Sequence, residues 1–179
     1  MDILESNIIK LRALEPSDID LIYNWENNSS NWLVSNTLTP FSKYILKKYI
    51  NNSYKDIFEA KQLRLMIDLK TENTIFKTIG TIDLFDYDSY HYRAGVGILI
   101  AEKNDRHQGF ANEALKVLIN YAFNTLYLHQ LYCNITKDNA SSLKLFTNLG
   151  FNIVGEKKDW LKTNDGWLGE YFLQLIKNK

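Results

Sequence analysis

The sequence predicts an α/β fold of the α+β type, in which a mixed, mostly antiparallel central sheet of about seven strands is flanked by about four helices. Three observations lead there. Segments within 63–101 alternate apolar with polar residues and are joined by short polar turns, the pattern of an antiparallel meander. Residues 111–123 carry the apolar stripe of an amphipathic helix. The order of elements, β-α-α-β-β-β-α-β-α-β-β, lacks the regular βα alternation of a doubly wound sheet.

Residues 8–14 read as the first strand. Pro16-Ser17-Asp18 then gives a helix-start signal before Ile19, Ile22, Tyr23 and Trp25, which recur at helical spacing. Residues 27–36 are polar and irregular. Thr39-Pro40 is a second start signal, with proline at the first helical position, leading to Phe41, Tyr44, Ile45 and Tyr49 on one face. Leu63, Leu65 and Ile67 alternate as a strand, and residues 71–74 turn the chain into a strand over 75–84. A connection at 86–92 leads to a strand over 94–101, where Gly95 and Gly97 mark a bulge or the close approach of a backbone or ligand.

Beyond the long helix, Leu131, Cys133 and Ile135 alternate in a strand. A helix follows over about 139–149, closed by Gly150 as a left-handed C-terminal glycine. Two final strands, 151–160 and 170–177, flank Asn164-Asp165-Gly166, a hairpin turn signal.

Composition supports one globular domain over 1–179, since a domain takes roughly 150 residues. Hydrophobic residues make up 45% and charged residues 23%, with 11 Tyr, 9 Phe and 4 Trp against 2 Pro, which disfavours disorder. No apolar run approaches the roughly 18 residues of a membrane span, so no membrane partner is expected. The opening Met1-Asp2-Ile3-Leu4-Glu5 lacks the basic start and apolar stretch of a secretion signal, so a cytoplasmic location is expected. Cys133 is the single cysteine and cannot form an internal disulfide. His91, His107 and His129 lie far apart, so no metal is expected. Lys and Arg (21) balance Asp and Glu (21), which offers nucleic acid no basic excess. Charge is nevertheless uneven, because Asp83, Asp86 and Asp88 crowd into six residues.

The stretch Arg106-His107-Gln108-Gly109-Phe110-Ala111 carries the chemistry. It joins the glycine-bearing strand to the long helix, whose first amides have no internal partners and whose dipole favours an anion. Gly109 lets the backbone turn its N–H groups inward, and Ala111 leaves room for a pyrophosphate. A plain tight turn is the alternative. Two of the three glycines of the dinucleotide fingerprint are missing.

Arg106-x-x-Gly109-x-Ala111, with the strand before it, resembles the acetyl-CoA loop of the GNAT superfamily of N-acetyltransferases. The run from Asn139 to Gly150-Phe151 is similar to a second segment of that family, in the right order. The resemblance spans 8–176 and is greatest to the subgroup of spermidine and diamine acetyltransferases and of enzymes acetylating ribosomal-protein N-termini. It implies acetyl-CoA as co-substrate. Backbone amides of Gln108 to Ala111 would hold the pyrophosphate, within a loop that runs from Arg106 and His107 through Phe110. Ile98, Leu99 and Ile100 would offer strand backbone to the pantetheine arm, and Asn139 would meet it too. Asn139 is equally a favoured helix N-cap.

The same resemblance implies direct acetyl transfer in a ternary complex to a primary amine, possible only once the amine is neutral. In the family a tyrosine on the second helix often protonates the leaving thiolate, and here Phe146 stands at that place. Water, another residue or departure as the thiolate must replace it. Tyr132 and Cys133 lie on the preceding strand, Cys133 as a small buried residue. Subgroup members often carry an acid where this chain has Gly95, so the candidate bases are Asp83 and Asp86, then Glu26. Trp25, Trp32, Tyr87 and Tyr90 either wall an amine site or serve as core and rim aromatics.

Three functions follow in order: acetylation of a polyamine or diamine, acetylation of a protein N-terminus or an aminoglycoside, and non-catalytic acyl-CoA binding. The partner is then a small-molecule amine or a peptide N-terminus, with a homodimer left open.

Overall fold

The computed structural model describes residues 3–35, 37–52, 55–70 and 76–177, the side chains of Leu33 and Val34 excepted. The elements in chain order are β1 (Ile9–Ala13), α1 (Ile19–Glu26), α2 (Trp32–Ser35), α3 (Lys43–Asn51), α4 (Ile57–Ala60), β2 (Leu63–Lys70), β3 (Phe76–Asp88), β4 (Arg93–Ile100), α5 (Phe110–Asn124), β5 (Gln130–Thr136), α6 (Ala140–Asn148), β6 (Asn152–Thr163) and β7 (Gly166–Ile176). The seven strands form one sheet in the order β1-β2-β3-β4-β5-β7-β6. Among the described residues only the β4–β5 pair is parallel. The meander β2-β3-β4 and a β6–β7 hairpin are as the sequence predicts, except that β6 runs on to Thr163 and β7 begins at Gly166 rather than at 170.

Four local differences have identifiable causes. Helix α3 starts after Ser42, whose hydroxyl accepts from Ile45 N–H at 3.2 Å, rather than at Pro40. Within 27–36, a single 3-10 turn at Ser29–Asn31 and the short α2 appear, with Asn28 accepting from Ser30 N–H. Asp56 caps the short α4 by accepting from the amides of Phe58 and Glu59. Strand β3 runs on to Asp88 instead of ending at 84, because a bulge between Phe85 and Asp88 absorbs the extra residues. Asp86 takes a left-handed φ of 49° within it. The predicted turn at 71–74 and residue 75 lie outside the described residues.

The two sheet faces bury different helices. Leu65, Ile67, Ile82, Leu84 and Val96 pack with α5 residues such as Leu115 and Leu118 and with Phe146 of α6. Each such buried aliphatic side chain contributes about 1.5–3 kcal/mol. On the other face Met66 and Leu99 pack with Ile22 and Trp25 of α1 and Leu46 and Ile50 of α3. Arg12 pins the first turn of the chain to this face through Asp18 and Asp68, both at 2.7 Å. No described helix is long and apolar enough to cross a membrane.

Candidate active site

Strands β4 and β5 pair only at Arg93↔Gln130, Ala94↔Leu131 and Gly95↔Tyr132. Beyond Gly95, β4 stays with β3 through Ile100, while β5 stays with β7 through Thr136. The sheet therefore splits into a wedge whose vertex is the Gly95–Tyr132 pair. Over Ile98, Leu99 and Ile100 the edge of β4 away from β3 pairs with no described strand, although Ile100 O accepts from Arg106. An extended, amide-bearing ligand can add there as a further strand.

The loop after β4 is tied down at both ends. Ala101 N–H donates to Ile79 O at 2.9 Å. The Arg106 guanidinium donates to Ile100 O and Ala101 O, each at 2.9 Å, so this side chain shapes the loop. Lys77 of β3 reaches both oxygens of the buried Asp105, at 2.6 and 2.8 Å. His107 and Gly109 both take left-handed φ, 61° and 85°. A Cβ on Gly109 would meet nothing within 4 Å, so backbone conformation, not space, demands glycine there. Helix α5 then makes its first bond from Glu113 N–H to Gly109 O at 3.1 Å. The amides of Phe110, Ala111 and Asn112 precede that bond and are available at the dipole's positive end. Phe110 turns its ring into the core and His107 and Gln108 are exposed. A free strand edge leading to a helix N-terminus fits a ligand whose amide arm ends in a pyrophosphate, as acetyl-CoA does.

On the α1/α3 face, strand register lines up Arg64, Asp83 and Gly97, then Phe85, Gly95 and Tyr132. Arg64 clamps Asp83 with two bonds, 2.7 and 3.2 Å, and reaches Glu26 of α1 at 2.6 Å. It also lies over the Tyr49 ring at 5.5 Å. Burial pushes the Asp83 carboxyl up, and neighbouring Glu26 adds to this against the pull of Arg64. Burial alone would lower Arg64, but the two carboxylates outweigh it and hold its charge.

The second row holds a different carboxylate. Tyr132 donates to Asp86 at 3.4 Å, and burial followed by the charge of Asp86 pushes the phenol up to about 12. Tyr132 packs on Phe85 and on Phe172, with ring centroids 6.0 and 5.5 Å apart. It lines a cavity of about 480 Å³ together with Asp86, Asp88, Lys157 and Phe172. Within that lining Asp88 pairs with Arg93 and Lys157 with Glu170, while Asp86 forms no ion pair among the described residues.

Other candidates sit elsewhere. Asp83 lies mid-strand rather than at a strand end. Phe146 is 3% exposed and packs edge-on against Phe151. The Asn139 side chain caps α6 by accepting from Ser142 N–H. Cys133 is buried, which pushes its thiol up to about 12 and leaves it no nucleophile. Trp25 is core and Trp32 donates to Glu26 O at 2.9 Å, so both border the Glu26 side. Tyr87 instead packs in the α5/α6 cluster and Tyr90 is exposed in the β3–β4 turn, so neither walls this face. Sequence reasoning passed over Arg64, Phe85 and the Tyr132–Asp86 pair, since partners 19 or 46 residues apart leave no local signal.

Comparison with known proteins agrees with this fold. Residues 9–152 match the family model described as an acetyltransferase (GNAT) domain. Spermidine N(1)-acetyltransferase of Escherichia coli (strain K12) is 26% identical over 152 residues, 83% of this chain and 75% of that protein. An uncharacterized N-acetyltransferase, p20 of Bacillus licheniformis, is 26% identical over 180 residues, covering 100% of this chain and 98% of its own. Among solved structures, spermidine N-acetyltransferase from Vibrio cholerae in complex with CoA and spermine superposes with a TM-score of 0.81 at 22% identity, covering 94% of this chain and 95% of that one.

Proposed function

The chain belongs to the GNAT acetyltransferase family, and from that premise we propose that it acetylates the primary amine of a small cationic acceptor, a diamine or polyamine, in a ternary complex with acetyl-CoA. The observation that carries this reading is the carboxylate of Asp86, which forms no ion pair among the described residues and accepts from Tyr132, itself at the vertex of the β4–β5 wedge. An alkylammonium is attracted by such a carboxylate and by the faces of adjacent rings. Relatives named for spermidine acetylation add support.

Acetyl-CoA, when bound, supplies the acetyl carbon to the amine nitrogen, with the C–S bond breaking and CoA leaving as the thiolate. The rest falls to the chain. Amides at 110–112 hold the pyrophosphate, and the free edge of β4 aligns the amide arm. A β4 amide near Ile98 donates to the carbonyl oxygen as it gains charge. Asp86 binds the ammonium and takes its first proton, directly or through one water, and the second N–H proton passes to solvent as the amide forms. Tyr132 stays protonated and orients that carboxylate. Asp83 has both oxygens on Arg64, so its role is to fix α1 against the sheet beside Gly97. Phe146 is buried and has no proton to give, so the thiolate takes its proton from solvent after release.

The test is a CoA-release assay over diamines, polyamines, short peptides and aminoglycosides. Release stimulated by diamines or polyamines above the other classes supports the reading. Preferential stimulation by peptides or aminoglycosides would replace the acceptor, and none at all would leave an acyl-CoA-binding protein.

A further inference from the structure

On the α1/α3 face, β4 presents two positions without side chains, Gly95 and Gly97, since residues two apart share a strand face. Phe85 refills the first. A Cβ on Gly95 would lie 2.3 Å from Phe85 Cε2, and one on Gly97 would lie 3.8 Å from Cε1. The Phe85 ring is half-buried yet belongs to neither apolar cluster. Its aromatic neighbour is Tyr132, met edge-on. A ring whose purpose was core burial would sit among the helices. This one covers the strand backbone beside the last pair that β4 makes with β5. Asp83 precedes it by two residues on the same face, and Asp86 follows it in the bulge, so along β3 Phe85 lies between the two acids.

We propose that Phe85 is the residue that selects the acceptor by shape. It narrows the approach to the vertex so that an unbranched –CH2–NH2 terminus is admitted. An amine branched at its α-carbon is turned away, the N-terminus of a peptide included. The inference rests on the acetyl-transfer reading above. An unbranched amine brings one substituent on the carbon next to nitrogen, whereas an α-branched one brings two, and the second meets the ring. The ring is held where it is by edge-on packing against Tyr132 and by the space that Gly95 leaves for it. Discrimination by one carbon in a fitted apolar pocket is about 10–200-fold.

A single substrate reads this out. 1,4-Diaminopentane carries an unbranched amine at one end and an α-branched amine at the other, and the ratio of its two monoacetyl products gives the relative kcat/KM. The wild type is expected to favour the unbranched end by about tenfold or more. Phe85→Ala should cut that ratio at least about fivefold, a change of the size one carbon of lost or gained fit produces. It should also raise turnover of an alanine tripeptide, with KM for acetyl-CoA unchanged. Phe85→Leu should fall between, and carries the test if the alanine variant fails to fold. No preference in the wild type, or the same ratio in a folded variant, overturns the proposal. If the wild type binds acetyl-CoA and acetylates no amine, the acetyl-transfer reading fails first and the selection role with it.

Discussion

Phe85 and Gly95 share the space of one side chain, because a Cβ on residue 95 would lie within 2.3–2.7 Å of three atoms of the Phe85 ring. Gly95 is therefore glycine for packing, with no positive φ involved. Gly95→Ala should destabilise the protein by about 1–3 kcal/mol, the range for overpacking. Adding Phe85→Leu should recover much of that loss, and urea unfolding of the two single variants and the double variant measures the coupling. Additive effects would mean that the ring leaves at no cost.

Gly109 has the opposite reason for being glycine. Its φ of 85° is what a side chain resists, while the space around it is open. A left-handed residue other than glycine costs about 1–2 kcal/mol, and valine at this place should push the loop out of shape. Gly109→Val should keep its fold and weaken acetyl-CoA binding by about tenfold or more, since each 1.4 kcal/mol is a factor of ten. Calorimetric titration reads the change, and equal affinity in the folded variant would remove the phosphate role from this loop.

Lys77 supports the same loop from a distance. Its ammonium holds Asp105, which is 8% exposed, so removing the partner strands a buried carboxylate. Lys77→Met should raise KM for acetyl-CoA about fivefold or more, given a penalty of about 1–3 kcal/mol for an unsatisfied buried group. The kcat at saturation should hardly move. A fall in kcat alone would place Lys77 in some other role.

The Arg12–Asp18 pair sets part of the acid stability. Burial pushes Asp18 up, but hydrogen bonds from Arg12 and from Glu15 N–H outweigh it and hold the carboxyl below its usual value. The folded state thus binds this proton less readily than the unfolded chain. Its stabilisation is complete above the ordinary carboxylate range and drains away as pH falls through the folded value. Asp18→Asn should cost about 1.5–3 kcal/mol near neutral pH, the range for a hydrogen-bonded charge. The gap to the wild type should narrow below about pH 4. A gap that is constant with pH would mean that packing, not ionisation, is lost.

Much of the fold was legible because its signals are local. The stripe from Ala111 to Phe123 gave α5 to within one residue at each end, and Asn164-Asp165 gave the hairpin. The polar Asp86-Tyr87-Asp88 reads as a turn and predicts an end of the strand at 84, whereas the bulge keeps Asp88 of β3 paired with Arg93. Pro40 drew the start of α3 forward, although Ser42 supplies the cap. At the site, the loop from Arg106 to Ala111 was readable from its glycine and its place before a helix. Arg64 on Asp83, Phe85 on Gly95 and Tyr132 on Asp86 were not. Each pair is made by strand register, and register is decided by the whole sheet.

In the proposed reaction Asp86, hydrogen-bonded to Tyr132 at the vertex of the wedge, receives the acceptor amine, and kcat/KM of Asp86→Asn for the best diamine measures that role. A general base is worth about 10²–10⁴-fold, so Asp86→Asn should lose at least about a hundredfold while binding acetyl-CoA as the wild type does. Asp83→Asn, assayed beside it, should lose stability more than turnover, because it frees Arg64. Wild-type kcat/KM in Asp86→Asn would mean that the acceptor amine is received elsewhere.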